Sequence, residues 1–270
     1  MPGNDSVFAG AIPDIYERLL VPILFAPFAA DLAARVAALE PYRVLETAAG
    51  TGAATRAFAE RLPAQAHITA TDLNPAMLEV AARGIHDPRI DWRQADAMAL
   101  PFGDGMFDAV ICQFGVMFLP DKLQGFREVR RVLAPGGTLI FNVWDRLAAN
   151  DFGLAVTEAL TALFPEDPPL FMERTPHGYS SLDRLHEDVS GAGLTGFTAA
   201  VVSHVGRAHS ARDLAVAFCQ GTPLRGEIEA RAPGRLEEVT NAVVPALKAR
   251  FGPGAIEGRL RAIVVSAMRH

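Results

Sequence analysis

Short apolar runs alternate with helical patterns between residues 43 and 144. Five runs are short and almost continuously apolar, which is typical of strands in a parallel sheet that is covered on both faces. They lie at 43–46, 67–71, 90–93, 107–113 and 138–144. Apolar positions at helical spacing lie between them, at 53–61, 75–83 and 122–133, and a turn is expected at 135–137. The alternation predicts an α/β fold, a Rossmann-like doubly wound sheet.

The flanking segments follow a different rhythm. Residues 14–39 are predicted to be helical, with a break around Pro22 and Pro27. A helix and a proline-rich loop are expected over 146–178, a helix over 182–190 and a strand over 196–205. A helical insertion over 207–257 and a last strand over 260–268 complete the pattern. We expect one domain of residues 1–270 in five parts: a helical lid (1–40), a cofactor-binding core (41–145), helical caps (146–181 and 207–257) and the remaining sheet (182–206 and 258–270).

Composition narrows the classes of partner. The chain has 25 basic and 31 acidic residues and a formal charge of −6, which argues against nucleic acid, because phosphate binding relies on clustered Lys and Arg. Cys112 and Cys219 form no CxxC pair, and the N-terminus lacks a signal-peptide pattern. The early apolar stretch 19–30 contains two prolines and falls short of the ~18–20 residues of a membrane span. We expect a soluble, cytoplasmic protein with no membrane span; a homodimer is one open possibility.

A glycine-containing loop, Glu46-Thr-Ala-Ala-Gly50-Thr-Gly52, joins the first strand to its helix. Glycine tolerates positive φ angles and lets the backbone approach a ligand closely, and the following helix start favours an anionic group. Such turns also occur without any ligand, so the loop alone is a weak signal.

Asp72 ends the second strand, 20 residues after Gly52. An acidic residue at this spacing accepts hydrogen bonds from ribose hydroxyls in dinucleotide sites. It is alternatively a helix N-cap, although Asn74, just before Pro75, suits that role better. Ribose binding is the favoured interpretation. These features do not exclude a nicotinamide-dependent oxidoreductase, but the third small residue of its fingerprint is replaced by Thr55.

A third set of motifs carries a family resemblance. Asp96-Ala-Met-Ala-Leu-Pro-Phe102 leads through Gly103–Phe107 into Asp108–Gln113, and Leu133-Ala-Pro-Gly-Gly137 precedes the fifth strand. In this order, residues 40–145 resemble class I S-adenosylmethionine-dependent methyltransferases, especially the ubiquinone/menaquinone-biosynthesis C-methyltransferases. The resemblance implies a seven-stranded, mostly parallel sheet with an antiparallel last strand, plus a helical lid. It also implies S-adenosylmethionine as cofactor and S-adenosylhomocysteine as product.

The resemblance also implies roles for matched positions. The methionine end of the cofactor is expected at Glu46, Ala48 and the segment Gly50, Thr51 and Gly52, with Gln113 closing that side. Asp72 is expected to bind the ribose, Leu73 and Met77 the adenine ring, and Asp96 with the Ala97 backbone the adenine amino group. Ala48 stands where the broader motif has glycine. Tyr16 is expected over the sulfonium or methionine end, in cation–π contact.

The sequence contains no comparable motif for the site of the methyl acceptor, the molecule that receives the methyl group. Phe152, Phe164, Phe171, Met172 and Tyr179 are candidates for an apolar acceptor pocket formed by the lid and the first cap. His177, His204 and His209 are base candidates by residue type alone, the catalytic residues stay unassigned, and no metal-site spacing occurs. A small-molecule methyltransferase is the leading hypothesis. The alternatives are a non-catalytic protein that binds the same cofactor and, less favoured, an NAD-dependent oxidoreductase.

Overall fold

The computed structural model of the chain describes residues 4–6 and 8–270. Within these residues, seven strands form one sheet in the order β3-β2-β1-β4-β5-β7-β6. The strands are β1 (Arg43–Glu46), β2 (His67–Asp72), β3 (Ile90–Gln94), β4 (Phe107–Gln113), β5 (Leu133–Trp144), β6 (Thr195–Ala208) and β7 (Ile256–Met268). Pairing from β3 to β5 is parallel, whereas β7 runs antiparallel to both β5 and β6. The predicted fold class is confirmed.

Helices cover the sheet and form two apolar clusters with it. They are α1 (Ile12–Ala37), α2 (Ala53–Arg61), α3 (Pro75–Gly84), α4 (Lys122–Val132), α5 (Asp151–Leu163), α6 (Phe171–Arg174), α7 (Leu182–Gly191), α8 (Ala211–Gly221), α9 (Leu224–Arg231) and α10 (Leu236–Phe251). In the smaller cluster, Leu32 of α1 and Phe58 of α2 are fully buried with Ile68 of β2. The larger cluster joins α4 to the helices that follow β5. Burying these faces stabilises the sheet, at roughly 25 cal/mol per Å² of apolar surface.

Helix α1 corrects the predicted break at Pro22 and Pro27. It is continuous over 26 residues, and its middle, Tyr16–Phe25, is a π-helix. The wider π turn accommodates Pro22, and Pro27 lies where the π-helical part passes into the α-helical part, so the helix continues although Pro27 donates no backbone hydrogen bond there. By length and composition this helix is long enough to cross a membrane, but 56% of its most apolar window is buried inside the fold.

Three predicted boundaries on the C-terminal side are also corrected. The expected turn at 135–137 lies inside β5, where the pairing with β4 shifts from Phe107–Leu133 to Ala109–Thr138, so the intervening residues of β5 bulge. Strands β6 and β7 are longer than predicted, because Ala208 still pairs with Ile256. The insertion predicted to be helical over 207–257 therefore begins and ends as paired strand.

The strand order locates the ligand-binding edge. Strand β1 pairs with β2 on one side and with β4 on the other, so the chain reverses its direction of winding at β1. In open α/β sheets, ligands bind beyond the carboxyl ends of the strands at this reversal point. The loops after Glu46, Asp72 and Gln113 meet there.

Candidate functional site

The loop after β1 is held in an unusual backbone conformation. Ala48 has a φ angle of 53°, and Gly50 and Gly52 have φ angles of 58° and 84°. Positive φ costs a non-glycine residue about 1–3 kcal/mol, so surrounding contacts must hold Ala48 in place. A β-carbon on Gly52 would lie 2.6 Å from Cδ1 of Ile85, which explains glycine at that position.

Asp72 joins this loop to the end of β2. One carboxylate oxygen accepts a hydrogen bond from the backbone N–H of Gly50 at 2.8 Å, and the other accepts one from the N–H of Asn74 at 2.8 Å. Burial raises the pKa of Asp72, and these hydrogen bonds oppose the rise. Asn74 occupies the N-cap position of α3, as predicted, but its side chain caps nothing; its Oδ1 instead accepts from the N–H of Phe8 at 3.4 Å.

Glu46 lies beneath the loop. It is 1% exposed, and its Oε2 accepts a hydrogen bond from Oγ1 of Thr55 at 2.6 Å. Burial raises the pKa of Glu46 to about 8, and the Thr55 hydrogen bond partly offsets this. Thr55, the residue at which the sequence departs from the dinucleotide fingerprint, therefore donates a hydrogen bond to the carboxyl group of Glu46.

A cavity of about 290 Å³ opens beyond these strand ends. Nine of the predicted positions line it: Tyr16, Ala48, Gly50, Asp72, Leu73, Met77, Asp96, Ala97 and Gln113. Glu46, Thr51 and Gly52 do not line it; they lie in or under the loop that forms one wall. Any cofactor contact of these three stays a prediction.

Several hydrogen-bond acceptors line this cavity. Oε1 of Gln113 is buried and has no hydrogen-bond partner among the described residues. The carboxylates of Asp72 and Asp96 line the same space, and none of the described residues lining it is Lys, Arg or His. Such a lining suits a ligand that brings hydroxyl and amino groups, and it offers no side-chain cation for a phosphate.

Sequence reasoning missed about half of the lining. The additional residues are Ser6, Phe8, Asn74, Ala95, Met98, Phe114, Gly115, Phe118, Leu119 and Pro120. Five of them, from Phe114 to Pro120, follow β4, so applying the strand-end rule to β4 as well as β1 would have found them. Ser6 and Phe8 reach the cavity through tertiary packing, for which the sequence carries no local signal.

A second, aromatic cavity of about 60 Å³ adjoins the first. Phe8, Tyr16, Phe114 and Phe118 line both. The residues that line only the second are Leu20, Leu24, Phe25, Trp144, Phe171, Met172, Pro176, Phe218, Thr222 and Pro223. Its walls thus come from α1, the end of β5, α6 and the α8–α9 region, and the prediction included only α1 and the segment that contains α6.

The other acceptor-pocket candidates lie elsewhere. Phe152 is fully buried against Gly206 and Gly258, and Phe164 lines a separate depression with residues of α10. Tyr179 stands under the ammonium group of Lys122 and donates a hydrogen bond to Asp188. Phe171 and Met172 alone, of the five predicted side chains, line the second cavity.

None of the three candidate histidines lines either cavity. His177 is buried, its Nδ1 lies 2.7 Å from the backbone oxygen of Asp145, and burial lowers its pKa to about 4. His204 packs edge-on against Phe28, and His209 is exposed. Among the described residues, Tyr16 is the only titratable side chain that lines the second cavity, and burial and the nearby Asp72 raise its pKa.

Two ion pairs of α1, one on each side of Tyr16, hold this residue over both cavities. Glu17 forms an ion pair with Arg56 of α2 at 2.9 Å, and Asp14 forms one with Arg83 of α3 at 3.2 Å. The Tyr16 ring stacks on Phe25, with 4.9 Å between ring centroids. The start of α1 is therefore attached to the two helices that follow the cofactor-side loops.

Comparisons with known proteins agree with this geometry. Residues 44–137 match a family model described as a methyltransferase domain. The chain is 36% identical over 151 residues to the demethylmenaquinone methyltransferase of Deinococcus radiodurans, covering 54% of this chain and 62% of that protein. It is 40% identical over 101 residues to the ubiquinone/menaquinone biosynthesis C-methyltransferase of Hahella chejuensis, covering 36% and 41%. The chain thus matches less than two thirds of the length of these curated relatives.

A solved structure extends the similarity of fold across the chain. The YcgJ protein from Bacillus subtilis superposes with a TM-score of 0.57 over 90% of this chain and 99% of that one, at 19% identity. This similarity concerns the fold alone. Together with the relatives above, it confirms the predicted resemblance.

Proposed function

We infer that the whole chain works as an S-adenosylmethionine-dependent methyltransferase, from the premise that residues 44–137 match a methyltransferase domain. The observation that carries the inference is the lining of the first cavity, with two carboxylates, the partnerless Oε1 of Gln113 and no cationic side chain among the described residues. S-adenosylmethionine, which supplies an electrophilic methyl group on a positively charged sulfur, brings hydroxyl and amino groups to such a lining. A dinucleotide brings such groups as well, but its phosphates would meet no cationic side chain in the described lining.

Each hydrogen-bond acceptor that lines the first cavity binds a donor group of S-adenosylmethionine in this proposal. Asp72 accepts from ribose hydroxyls with the lone pairs left free by Gly50 and Asn74. Asp96 turns one carboxylate oxygen toward the N–H of Met98, at 2.8 Å, and accepts from the adenine amino group with its remaining capacity. Gln113 accepts from the ammonium group at the methionine end, which gives its buried Oε1 a partner.

The methyl acceptor, the molecule that receives the methyl group, occupies the aromatic cavity in this proposal. Its described lining is apolar except for the hydroxyl groups of Tyr16 and Thr222, and the Thr222 hydroxyl already donates to the backbone oxygen of Phe218 at 2.7 Å. This apolar lining suits a small apolar or aromatic molecule, and the cavity of about 60 Å³ must widen to admit an aromatic ring. The relatives named above act on demethylmenaquinone or in quinone biosynthesis, so a quinol-type ring is the proposed acceptor class.

Catalysis is proposed to depend on positioning. No carboxylate or imidazole of the described residues lines the aromatic cavity, so the acceptor atom must be nucleophilic without a carboxylate or histidine base. The aromatic walls exclude water and hold the acceptor in line with the methyl group. Effective molarities of ~10⁵–10⁸ M are attainable from orientation alone.

Ligand binding and turnover test this proposal separately. S-adenosylhomocysteine at a hundredfold excess over its Kd should stabilise the chain by about 2.7 kcal/mol, and NAD should not. A shift of the unfolding midpoint with NAD alone would favour an oxidoreductase. Methyl transfer from labelled S-adenosylmethionine to short-chain demethylmenaquinols is expected; tight cofactor binding without transfer to any of a broad acceptor panel would favour a non-catalytic binding protein.

The cellular setting belongs to the same proposal. Cys112 and Cys219 are both free and buried, which suits a reducing compartment such as the cytoplasm. Fractionation with detection of the native chain would check this location, and recovery in the membrane fraction would contradict it.

A further inference from the structure

Phe114 adopts a backbone conformation that its side chain disfavours. It directly follows β4 and has a φ angle of 51°, in the left-handed region that favours glycine. Its ring lines the cavity on the cofactor side and the aromatic cavity as well. A strained residue between two cavities requires contacts that hold it.

Asn142 of β5 holds the backbone of Phe114. The N–H of Phe114 donates to Oδ1 of Asn142 at 2.9 Å and to the backbone oxygen of Asn142 at 3.2 Å. Asn142 is 0% exposed, and it is the one amide side chain in the otherwise apolar run Leu139–Trp144. Its Nδ2 has no hydrogen-bond partner among the described residues. A buried amide donor without a partner costs about 1–3 kcal/mol, so the hydrogen bonds of Asn142 to Phe114 are kept at a cost in stability.

Trp144 holds the ring of Phe114. The two rings are stacked, with centroids 3.9 Å apart and planes 11° from parallel. Trp144 lies two residues after Asn142 on the same strand, so both side chains project from the same face of the sheet. One face of β5 therefore fixes both the backbone and the ring of Phe114.

The turn at Phe114 also sets the position of Gly115. Gly115 comes so close to Ala48 that a β-carbon on it would overlap the Cβ of Ala48. A shift of Phe114 toward an ordinary φ would therefore displace both the wall between the cavities and the contact between the loops after β4 and β1.

We propose that Asn142 is a positioning residue, whose Oδ1 holds Phe114 in the left-handed turn that separates the cofactor cavity from the acceptor cavity. It acts through Phe114 and lines neither cavity itself. The cofactor cavity is the first cavity, and the acceptor cavity is the aromatic one. These two names rest on the proposed function, whereas the coupling between Asn142 and Phe114 does not.

A double-mutant cycle tests the coupling in the full chain. Asn142→Leu removes the accepting oxygen, and Phe114→Gly removes both the ring and the strain. Asn142→Leu alone should weaken binding of S-adenosylhomocysteine by about tenfold, the size of one ordinary hydrogen bond. In the Phe114→Gly background it should weaken binding by less than about twofold, because Asn142 then has no strained turn to hold. Equal losses in both backgrounds, or no loss in either, would overturn the proposal.

Two further variants separate positioning from general destabilisation. Asn142→Asp keeps an accepting oxygen and, at about pH 5, where its buried carboxyl is protonated, should retain affinity within about threefold. Asn150→Leu is the matched control: Asn150 is also buried and accepts from the N–H of Arg261, but it lines neither cavity, so its loss should lower the unfolding midpoint and leave affinity unchanged. Loss of affinity in Asn150→Leu equal to that in Asn142→Leu would assign the effect to stability.

The stack of Phe114 on Trp144 supplies a readout that needs no ligand. Asn142→Leu should change the near-ultraviolet circular dichroism of Trp144, and the change should vanish in the Phe114→Gly background. If S-adenosylhomocysteine fails to bind the unmodified chain, the proposed function fails, and this spectrum still decides the coupling: an unchanged signal in Asn142→Leu overturns it.

Discussion

Gly115 packs against Ala48 with no room for a side chain between them. A β-carbon on Gly115 would overlap the Cβ of Ala48 and would lie 2.7 Å from Sγ of Cys112. The loops at the carboxyl ends of β1 and β4, which both line the cofactor cavity, are thus in direct contact. Close packing at this point makes the cavity sensitive to single methyl groups.

Gly115→Ala is therefore expected to destabilise the fold. Overpacking of this kind costs about 1–3 kcal/mol, and the affinity for S-adenosylhomocysteine should fall with it. Ala48→Gly in the same chain should restore part of the loss, since it removes one of the two clashes and leaves the one with Cys112. Urea unfolding and calorimetric titration measure the two effects.

A glycine-to-alanine change elsewhere serves as the control. Gly226 lies in α9, and a β-carbon there would meet nothing within 4 Å. Gly226→Ala should raise stability by up to about 1 kcal/mol through helix propensity, with cofactor affinity unchanged. A Gly115→Ala chain as stable as Gly226→Ala would contradict the close packing of the two loops.

Asp72→Asn separates the two tasks of Asp72. An amide accepts through one oxygen only, so one of the N–H groups of Gly50 and Asn74 loses its partner. Stability should fall by about 1–3 kcal/mol, and affinity for S-adenosylhomocysteine should fall by more than about tenfold because a ribose contact is also lost. Asp91→Asn, at an exposed position on β3, should change neither. Unchanged affinity in Asp72→Asn would remove Asp72 from the proposed ribose site.

The sequence predicted the parts of this molecule that are governed by local pattern. Strand β1, strand β4 and helix α2 have the predicted bounds, because apolar runs and a turn rich in small residues determine them. The continuity of α1 through Pro22 was not predictable in this way, since burial against the rest of the fold outweighs the local cost of proline.

The shape of the site depends on contacts between residues that are far apart in the sequence. The left-handed turn at Phe114 is held by Asn142, 28 positions later in the chain, and Phe8 reaches the cavity by donating to Asn74. Neither contact is indicated by a hydrophobic periodicity or by a motif in the sequence. Most positions that matched a motif, such as Asp72 and Asp96, line the cavity, whereas Glu46, Thr51 and Gly52 lie in or under the loop.

Glu46 predicts a pH dependence of stability with a definite sign. Its folded-state pKa is about 8, above the ordinary value of 4.5, so the folded chain binds this proton more tightly than the unfolded chain. The stabilising contribution is complete below pH 4.5 and is lost as the pH rises through 8, on the order of 3–5 kcal/mol in total. Glu46→Gln mimics the protonated acid and keeps an oxygen for the Thr55 hydroxyl. The free energy of unfolding of the unmodified chain, minus that of Glu46→Gln, should therefore become more negative between pH 5 and pH 8.5. Urea unfolding of both chains across this range measures the difference, and a difference independent of pH would mean that Glu46 is ionised throughout.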